Sequence, residues 1–218
     1  MCRPNPRDGR RARRGVYGDA MGARLFTAIL PPTSLVEDLD HFLAPRRTAE
    51  PRLRWTRPES WHLTTAFMAS VPDTSSEPLV GNLAEVAART PAFRLRLGGG
   101  GAFPWPVEAK VLWLGVPEGA EELAQLAERC RTGATRAGVR VDGARFRPHL
   151  TLARANRALD TTRLVRVLDT FDADGWDATE LLLIESHLHD PGNRYEVVGR
   201  WPLGSSGETP GSGGEPRS

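Results

Sequence analysis

A short polar pattern occurs twice in this chain. His62-Leu63-Thr64 returns 87 residues later as His149-Leu150-Thr151. The preceding segments also correspond, because apolar runs at residues 26–30 and 113–116 are each followed by a proline and an amphipathic stretch. Such self-similarity indicates two copies of one strand–helix–strand unit, which we expect to be related by an approximate twofold axis.

The repeated tripeptide predicts which side chains share a surface. Side chains alternate between the two faces of a strand, so His62 and Thr64 point one way and Leu63 points the other. The same alternation holds for the second copy. If the two leucines face the hydrophobic layers beneath the helices, two imidazoles and two hydroxyls face one cavity between the halves.

The rest of the chain supports a mixed architecture. Apolar runs at residues 25–30, 61–68 and 110–116 predict strands, and residues 121–136 carry leucines at helical spacing. We expect an α+β fold of two pseudo-twofold-related lobes, each an antiparallel sheet backed by helices, with the active cleft between them.

Both ends differ in composition from this central region. Residues 1–22 are rich in arginine and glycine, and residues 204–218 contain no large apolar side chain. Neither segment can bury a core. We predict a disordered basic tail at 1–22, one two-lobed domain at 23–203 and a disordered Gly/Ser-rich tail at 204–218.

The charge of the chain excludes a broad surface for long nucleic acid. The net charge is +2, but residues 1–20 hold six arginines against two aspartates, which leaves residues 21–218 slightly negative. A nearly neutral body is compatible with a small site that neutralises one or two phosphates.

No stretch is long and apolar enough to cross a bilayer, and only Cys2 and Cys130 are present. No disulfide framework is therefore available, so the fold depends on its hydrophobic core. We expect a cytoplasmic monomer that does not associate with membranes.

The motifs resemble a known family, the bacterial and archaeal RNA 2′,3′-cyclic phosphodiesterases, or 2′-5′ RNA ligase-like proteins, of the 2H phosphoesterase superfamily. The resemblance extends from Arg24 to about Leu203. It is carried by the segments ARLFTAILPP, RWTRPESWHLTTAFM, GAFPWP, KVLWLGV, FRPHLTLAR and RYEVVGRWPL.

The resemblance implies roles for the repeated residues. His62 and His149 correspond to the two catalytic histidines of the family. Thr64 and Thr151 correspond to the hydroxyls that hold the substrate phosphate. A cyclic phosphodiester needs one proton removed from an attacking water and one given to the leaving oxygen, and two histidines can supply both transfers without a metal.

Two further residues match the family more loosely. Arg154 matches a basic residue associated with the substrate phosphate, and Phe67 matches an aromatic residue near the nucleoside. Each lies five positions after its histidine, an odd step that strict alternation directs to the opposite face. Only a β-bulge or a strand end would bring them into the cleft.

By resemblance, the expected reaction opens the 2′,3′-cyclic phosphate of RNA ends or nucleotides to a 2′-phosphate, with no cofactor and no metal, and its reverse is 2′-5′ ligation. The near symmetry leaves the acid and the base open, with a slight preference for His149 as base. Two alternatives remain: the same chemistry on another cyclic phosphate or a 2′-5′ oligonucleotide, and a binding module for nucleotides or RNA ends without turnover.

Four other features of the sequence are less specific. In His187-Leu188-His189-Asp190 the two histidines share a strand face and an aspartate follows, a pattern that could bind a metal ion. We favour the interpretation that these are surface residues at the end of a hairpin strand. Residues 98–101, all glycine, are interpreted as a flexible connection between the lobes. The loop at residues 103–106 is a candidate surface for stacking a base. Cys130, on an apolar helix face, is assigned to packing.

Overall fold

The computed structural model describes residues 22–143, 145–187 and 194–204. The first half of the chain forms a strand–helix–strand unit with a short added strand and a second helix. Its elements are β1 (Ala23–Ile29), α1 (Thr33–Ala49), β2 (Leu53–Trp55), β3 (Leu63–Val71) and α2 (Asp73–Ala88).

The second half repeats this order and adds strands at both ends. Its elements are β4 (Phe93–Phe103), β5 (Ala109–Glu118), α3 (Ala120–Arg136), β6 (His149–Leu159), α4 (Thr162–Leu168), β7 (Trp176–Ala178), β8 (Glu180–His187) and β9 (Arg194–Pro202). The predicted helices and long strands are present, whereas the three-residue strands β2 and β7 were not predicted because they are too short to show a period.

All strand pairs are antiparallel and form one sheet of nine strands. The order is β7-β4-β5-β6-β3-β1-β8-β9, with β2 also paired to β6. The order reads symmetrically about its centre, where β6 meets β3 and their partners β5 and β1 lie outside them. The expected α+β class and twofold arrangement are confirmed. The two halves share a sheet, joined at the centre by the pair Leu63 and Leu150.

A β-bulge interrupts each His-Leu-Thr strand at the same place. In β3, Thr64 pairs with Ala28 and Ala66 with Thr27, so Thr65 is the extra residue. In β6, Thr151 and Ala153 pair with consecutive residues of β5, so Leu152 is the extra residue. An extra residue reverses the alternation of faces beyond it.

The helices cover one face of the sheet and create a shared core. Leu63 and Leu150 lie in this core, at 1% and 0% exposure. Helix α3 packs against α2 and also against β3 of the other half, and Phe42 of α1 contacts Phe171 at a ring distance of 5.0 Å. We call the opposite face, which bears the repeated histidines and threonines, the inner face.

The prediction of a flexible glycine connection was wrong. Residues 98–101 lie within strand β4 and pair with β5. Close packing explains the glycines, because a Cβ on Gly101 would lie 2.1 Å from the Trp113 indole and one on Gly100 would lie 2.5 Å from the Val165 carbonyl oxygen. A side chain at either position would have to displace its neighbour.

Some predictions fall outside the described residues. Except for Gly22 and Gly204, both predicted tails lie there, as does Asp190-Pro191-Gly192-Asn193, whose residue types predict the turn of the hairpin between β8 and β9. The two strands of that hairpin do pair over their full length. Among the described helices, none is long and apolar enough to span a membrane.

Candidate active site

The two His-Leu-Thr strands meet at the junction of the halves. Because Leu63 pairs with Leu150 in antiparallel register, the next position on each side places His62 opposite Thr151 and Thr64 opposite His149. Residues opposite each other share a face, so all four polar side chains lie on the inner face. Diagonal neighbours in such a ladder are typically about 7–8 Å apart, and His62 and His149 are diagonal.

The two imidazoles are held in the same way. Nδ1 of His62 is 2.7 Å from the carbonyl oxygen of Ser60, and Nδ1 of His149 is 2.7 Å from the carbonyl oxygen of Arg147. A carbonyl only accepts, so each Nδ1 carries the hydrogen and donates it. Nε2 of each ring is thereby left as the atom that can exchange a proton with a substrate.

The environment favours neutral rings. Burial lowers the pKa of His62 to about 4, although the hydrogen bond that the ring donates to the Ser60 carbonyl raises it, and electrostatic interactions with His149 and Arg154 lower it further. Burial also lowers the pKa of His149. The hydrogen bond that this ring donates to the Arg147 carbonyl raises the pKa, whereas the charges of Arg154 and Arg147 lower it further. At neutral pH, and without a bound anion, both Nε2 atoms are therefore proton acceptors.

Aromatic rings enclose each imidazole. Phe26 of β1 stacks on His62 with 4.6 Å between the ring centroids, and Tyr195 of β9 meets the same ring edge-on at 5.4 Å. Phe103 of β4 meets His149 edge-on at 5.1 Å. Sequence reasoning did not find Phe26 and Tyr195, since only the pairing of β1 with β3 and β8 brings them to His62.

The bulges place Phe67 and Arg154 on the inner face, as the odd spacing required. Phe67 pairs with Phe26 and packs against a small apolar cluster on the inner face, formed by Phe26, Ala28, Leu182 and Ile184. Arg154 is exposed, and its charge lowers the pKa of both His62 and His149. The two residues occupy equivalent positions of the repeat, 87 residues apart. Phe67, Thr64 and His149 also line one small cavity.

The adjacent buried hydroxyl has a different role. Thr65 Oγ1 lies 2.7 Å from Thr27 Oγ1, and both residues are almost fully buried. Cys130 lies 3.9 Å from the Thr65 hydroxyl, is fully buried, and has its pKa raised to about 11 by burial. This thiol stays protonated, which agrees with its assignment to packing.

The remaining candidates are described only in part. His187 approaches Glu185 at 3.9 Å and Glu196 at 3.5 Å, whereas His189 and Asp190 lie outside the described residues. Within the described ranges, no group of three or more His, Cys, Asp or Glu residues is placed to hold a metal ion. Trp105 is 68% exposed, while Trp113 is buried beneath His149.

The inner face thus combines two Nδ1-anchored imidazoles with two hydroxyls and a guanidinium, groups suited to proton transfer and to holding a phosphate. Residues 31–190 match the sequence profile of the 2′-5′ RNA ligase superfamily. The chain belongs to this superfamily.

Curated relatives within the superfamily share one name. The RNA 2′,3′-cyclic phosphodiesterase of Aquifex aeolicus is 30% identical over 154 residues, which cover 69% of this chain and 82% of the relative. The RNA 2′,3′-cyclic phosphodiesterase of Escherichia coli is 30% identical over 180 residues, covering 83% and 96%.

Solved structures agree with this membership of the superfamily. The apo form of E. coli LigT superposes with a TM-score of 0.68 at 29% identity, covering 84% of this chain and 99% of LigT. The complex of LigT with 3′-AMP gives a TM-score of 0.66 at 28% identity, covering 83% and 98%. The α+β fold with its central pair of strands is therefore that of the LigT phosphoesterases.

Proposed function

We propose that this protein hydrolyses the 2′,3′-cyclic phosphate of RNA ends or nucleotides to a 2′-phosphate, by acid–base catalysis with two histidines and without a metal. One observation carries the proposal. His62 and His149 lie diagonally across the junction, and each donates through Nδ1 to a carbonyl and keeps Nε2 for proton exchange. Relatives named RNA 2′,3′-cyclic phosphodiesterase support the same activity.

The reaction needs two proton transfers on opposite sides of phosphorus. Nε2 of neutral His149 removes a proton from water as the water oxygen bonds to phosphorus. The bond from phosphorus to the ribose 3′ oxygen breaks, and Nε2 of protonated His62 gives its proton to that oxygen. The product is a 2′-phosphate, and the proton on His149 returns to solvent while His62 is reprotonated.

The negative charge of the bound substrate favours the protonated form of His62. Without a bound substrate, the pKa of His62 is about 4, because the ring is buried and lies near Arg154 and His149. A bound phosphodiester brings a negative charge next to the ring, which favours the protonated form and raises this pKa. Thr64, Thr151 and Arg154 would hold the non-bridging oxygens, where charge increases in the transition state.

Other features follow from the same site. We propose that Phe67, which lines a small cavity with Thr64 and His149, contacts the nucleoside attached to the cyclic phosphate. The same ring opening with a 5′-hydroxyl in place of water would join a 2′,3′-cyclic end to that hydroxyl as a 2′-5′ linkage, with the 3′ oxygen again leaving and taking a proton. One chain supplies both histidines, which supports action as a monomer, and the free thiol of Cys130 is compatible with the cytoplasm.

Turnover of adenosine 2′,3′-cyclic phosphate in excess chelator tests the proposal. Phosphorus NMR should show a 2′-monophosphate, and either histidine variant, His62→Ala or His149→Ala, should slow its formation by about 10²- to 10⁴-fold. A protein that binds the nucleotide without product would be a binding module. Turnover that is faster on another cyclic phosphate or a 2′-5′ oligonucleotide would identify a different substrate for the same chemistry.

A further inference from the structure

Two arginines face each other across neighbouring strands beside the candidate active site. In the antiparallel pairing of β2 with β6, Arg54 is the direct partner of Arg154. Direct partners in such a pair share a face and have Cβ atoms about 4.5–5.5 Å apart. Like charges at this position repel each other and destabilise the pair. The arrangement therefore calls for an anion that lies between or above the two guanidinium groups.

A cavity of about 400 Å³ opens at this place. Its lining includes Arg54, Arg57, Arg154 and Tyr195, and no carboxylate is among the lining residues. Cavities of roughly 300–1,000 Å³ are typical of small-molecule sites in proteins. Three guanidinium groups beside an aromatic ring are groups that bind phosphate and stack on a base.

The charge of this cavity is not compensated by neighbouring side chains. Within the described residues, the guanidinium groups of Arg54, Arg57 and Arg154 form no salt bridge and no side-chain hydrogen bond. Some other arginines of this chain do have carboxylate partners, for example Arg47 with Asp40, Arg52 with Glu50 and Arg96 with Asp172. The cluster is distinguished by the convergence of three such guanidinium groups on one cavity and by the direct opposition of Arg54 and Arg154.

The cavity adjoins the histidine site. Ser60, whose carbonyl oxygen accepts the Nδ1 hydrogen of His62, also lines the cavity. Tyr195 lines it too and contacts the His62 ring edge-on. Arg154 lies within electrostatic reach of both imidazoles. A phosphate held at the histidines uses Arg154, which leaves Arg54 and Arg57 for a second one.

We propose that Arg54 and Arg57 form a second phosphate subsite, which binds the phosphate on the 5′ side of the nucleoside whose cyclic phosphate lies at His62 and His149. The inference rests on the proposed function and deepens it. A nucleoside 2′,3′-cyclic phosphate leaves this subsite empty. A 5′-phosphorylated or longer RNA end fills it, so the substrate class is the RNA end rather than the free cyclic nucleotide.

The kinetic test compares three substrates with the same reactive end. They are adenosine 2′,3′-cyclic phosphate, its 5′-phosphorylated form, and a dinucleotide that ends in adenosine 2′,3′-cyclic phosphate. We expect the second and third to have kcat/KM about tenfold above the first, with the gain decreasing as salt is added. Equal values for all three, or a gain that requires the second nucleoside, would overturn the assignment.

Variants connect the gain to the two arginines. Arg54→Ala and Arg57→Ala should each reduce the ratio between phosphorylated and unphosphorylated substrates, and the double variant should bring it close to one. Arg54→Lys, which keeps the charge, should retain part of the gain. Arg166→Ala removes an exposed arginine of α4 that does not line the cavity, so it should keep the full ratio. A ratio unchanged in the double variant contradicts the proposal.

A binding measurement separates this proposal from the proposed function, because it needs no turnover. By calorimetry, adenosine 2′,5′-bisphosphate should bind about tenfold more tightly than adenosine 2′-monophosphate, and only while Arg54 and Arg57 are present. This preference in a protein without turnover would support the subsite and refute the hydrolysis. Turnover with no preference for the second phosphate would refute the subsite and leave the hydrolysis standing.

Discussion

The ring of Phe26 stacks on the imidazole of His62, with 4.6 Å between the centroids and 30° between the planes. Phe26 comes from β1, two strands away from β6, and it also contacts Tyr195 at 5.2 Å. These rings limit the access of water to His62, which is half-buried. Burial, the main cause of its lowered pKa, is therefore produced largely by residues distant from it in the sequence.

Replacing Phe26 should consequently raise the pKa of His62. In Phe26→Ala, water reaches the ring, and we expect the pKa to move from about 4 towards the usual 6.5. NMR titration of the imidazole protons measures this directly. The equivalent change at the other histidine, Phe103→Ala, should raise the pKa of His149 and leave that of His62 nearly unchanged. A His62 pKa that does not respond to Phe26→Ala would show that burial by this ring is not the cause.

The two histidines should differ in their response to the leaving group. His62→Ala and His149→Ala should each lose about 10²- to 10⁴-fold in kcat/KM on a cyclic phosphate. A nucleoside phosphodiester with a p-nitrophenolate leaving group needs no proton donor, so His62→Ala should regain much of the activity of the unmodified protein on it. His149→Ala should stay slow on both substrates. Recovery in His149→Ala instead would exchange the roles of acid and base.

The threonines on the inner face should affect catalysis more than the threonine next to them. Thr64→Val and Thr151→Val each remove a hydroxyl proposed to bond a phosphate oxygen, and we expect kcat/KM to fall about 10- to 100-fold. Thr65→Val is the matched control, because its hydroxyl bonds Thr27 within the core. It should cost about 1 kcal/mol of unfolding free energy and leave kcat/KM of the folded protein close to its original value. Similar kinetics for Thr64→Val and Thr65→Val would remove the phosphate role of Thr64.

Stability should decrease below neutral pH because of His62. Its pKa is about 4 in the folded protein and about 6.5 when unfolded, so the unfolded state binds the proton more readily. The contribution of His62 to the free energy of unfolding should be complete above pH 6.5. It should decrease by up to about 3 kcal/mol as the pH falls towards 4. Denaturant titrations from pH 8 to 4 measure the slope, and His62→Gln should make it shallower. An equal slope in His62→Gln would contradict the pKa assigned to the buried ring.

The glycine next to Trp113 should be required for the support of His149. A Cβ at Gly101 would lie 2.1 Å from the indole, and this indole lies 6.2 Å from the His149 ring. Gly101→Ala should therefore displace Trp113, lower the unfolding free energy by about 1–3 kcal/mol and reduce kcat/KM. Gly81→Ala, in helix α2 with open space around it, should instead be neutral or stabilise by up to about 1 kcal/mol. Crystal structures and denaturation curves of both variants distinguish these outcomes.

Local residue patterns were enough to predict two strands that share a polar face, but not that these strands pair with each other at the centre of one sheet. The alternation in His62-Leu63-Thr64 and His149-Leu150-Thr151 has a period of two that is independent of the rest of the fold. It therefore predicted both the shared polar face and the buried leucines. The 87-residue offset predicted the twofold arrangement for the same reason, since equivalent sequences form equivalent units.

The tertiary structure alone decided how those residues behave chemically. The bulges at Thr65 and Leu152, which bring Phe67 and Arg154 onto the inner face, depend on the register with neighbouring strands. The opposition of Arg54 and Arg154 depends on a strand too short to be recognised from its sequence. The lowered pKa values of the histidines depend on rings and charges from β1, β4, β6 and β9. Sequence determines which groups a strand presents, but solvent exclusion and electrostatic interaction act through space, so only the assembled sheet sets the proton affinity of each imidazole.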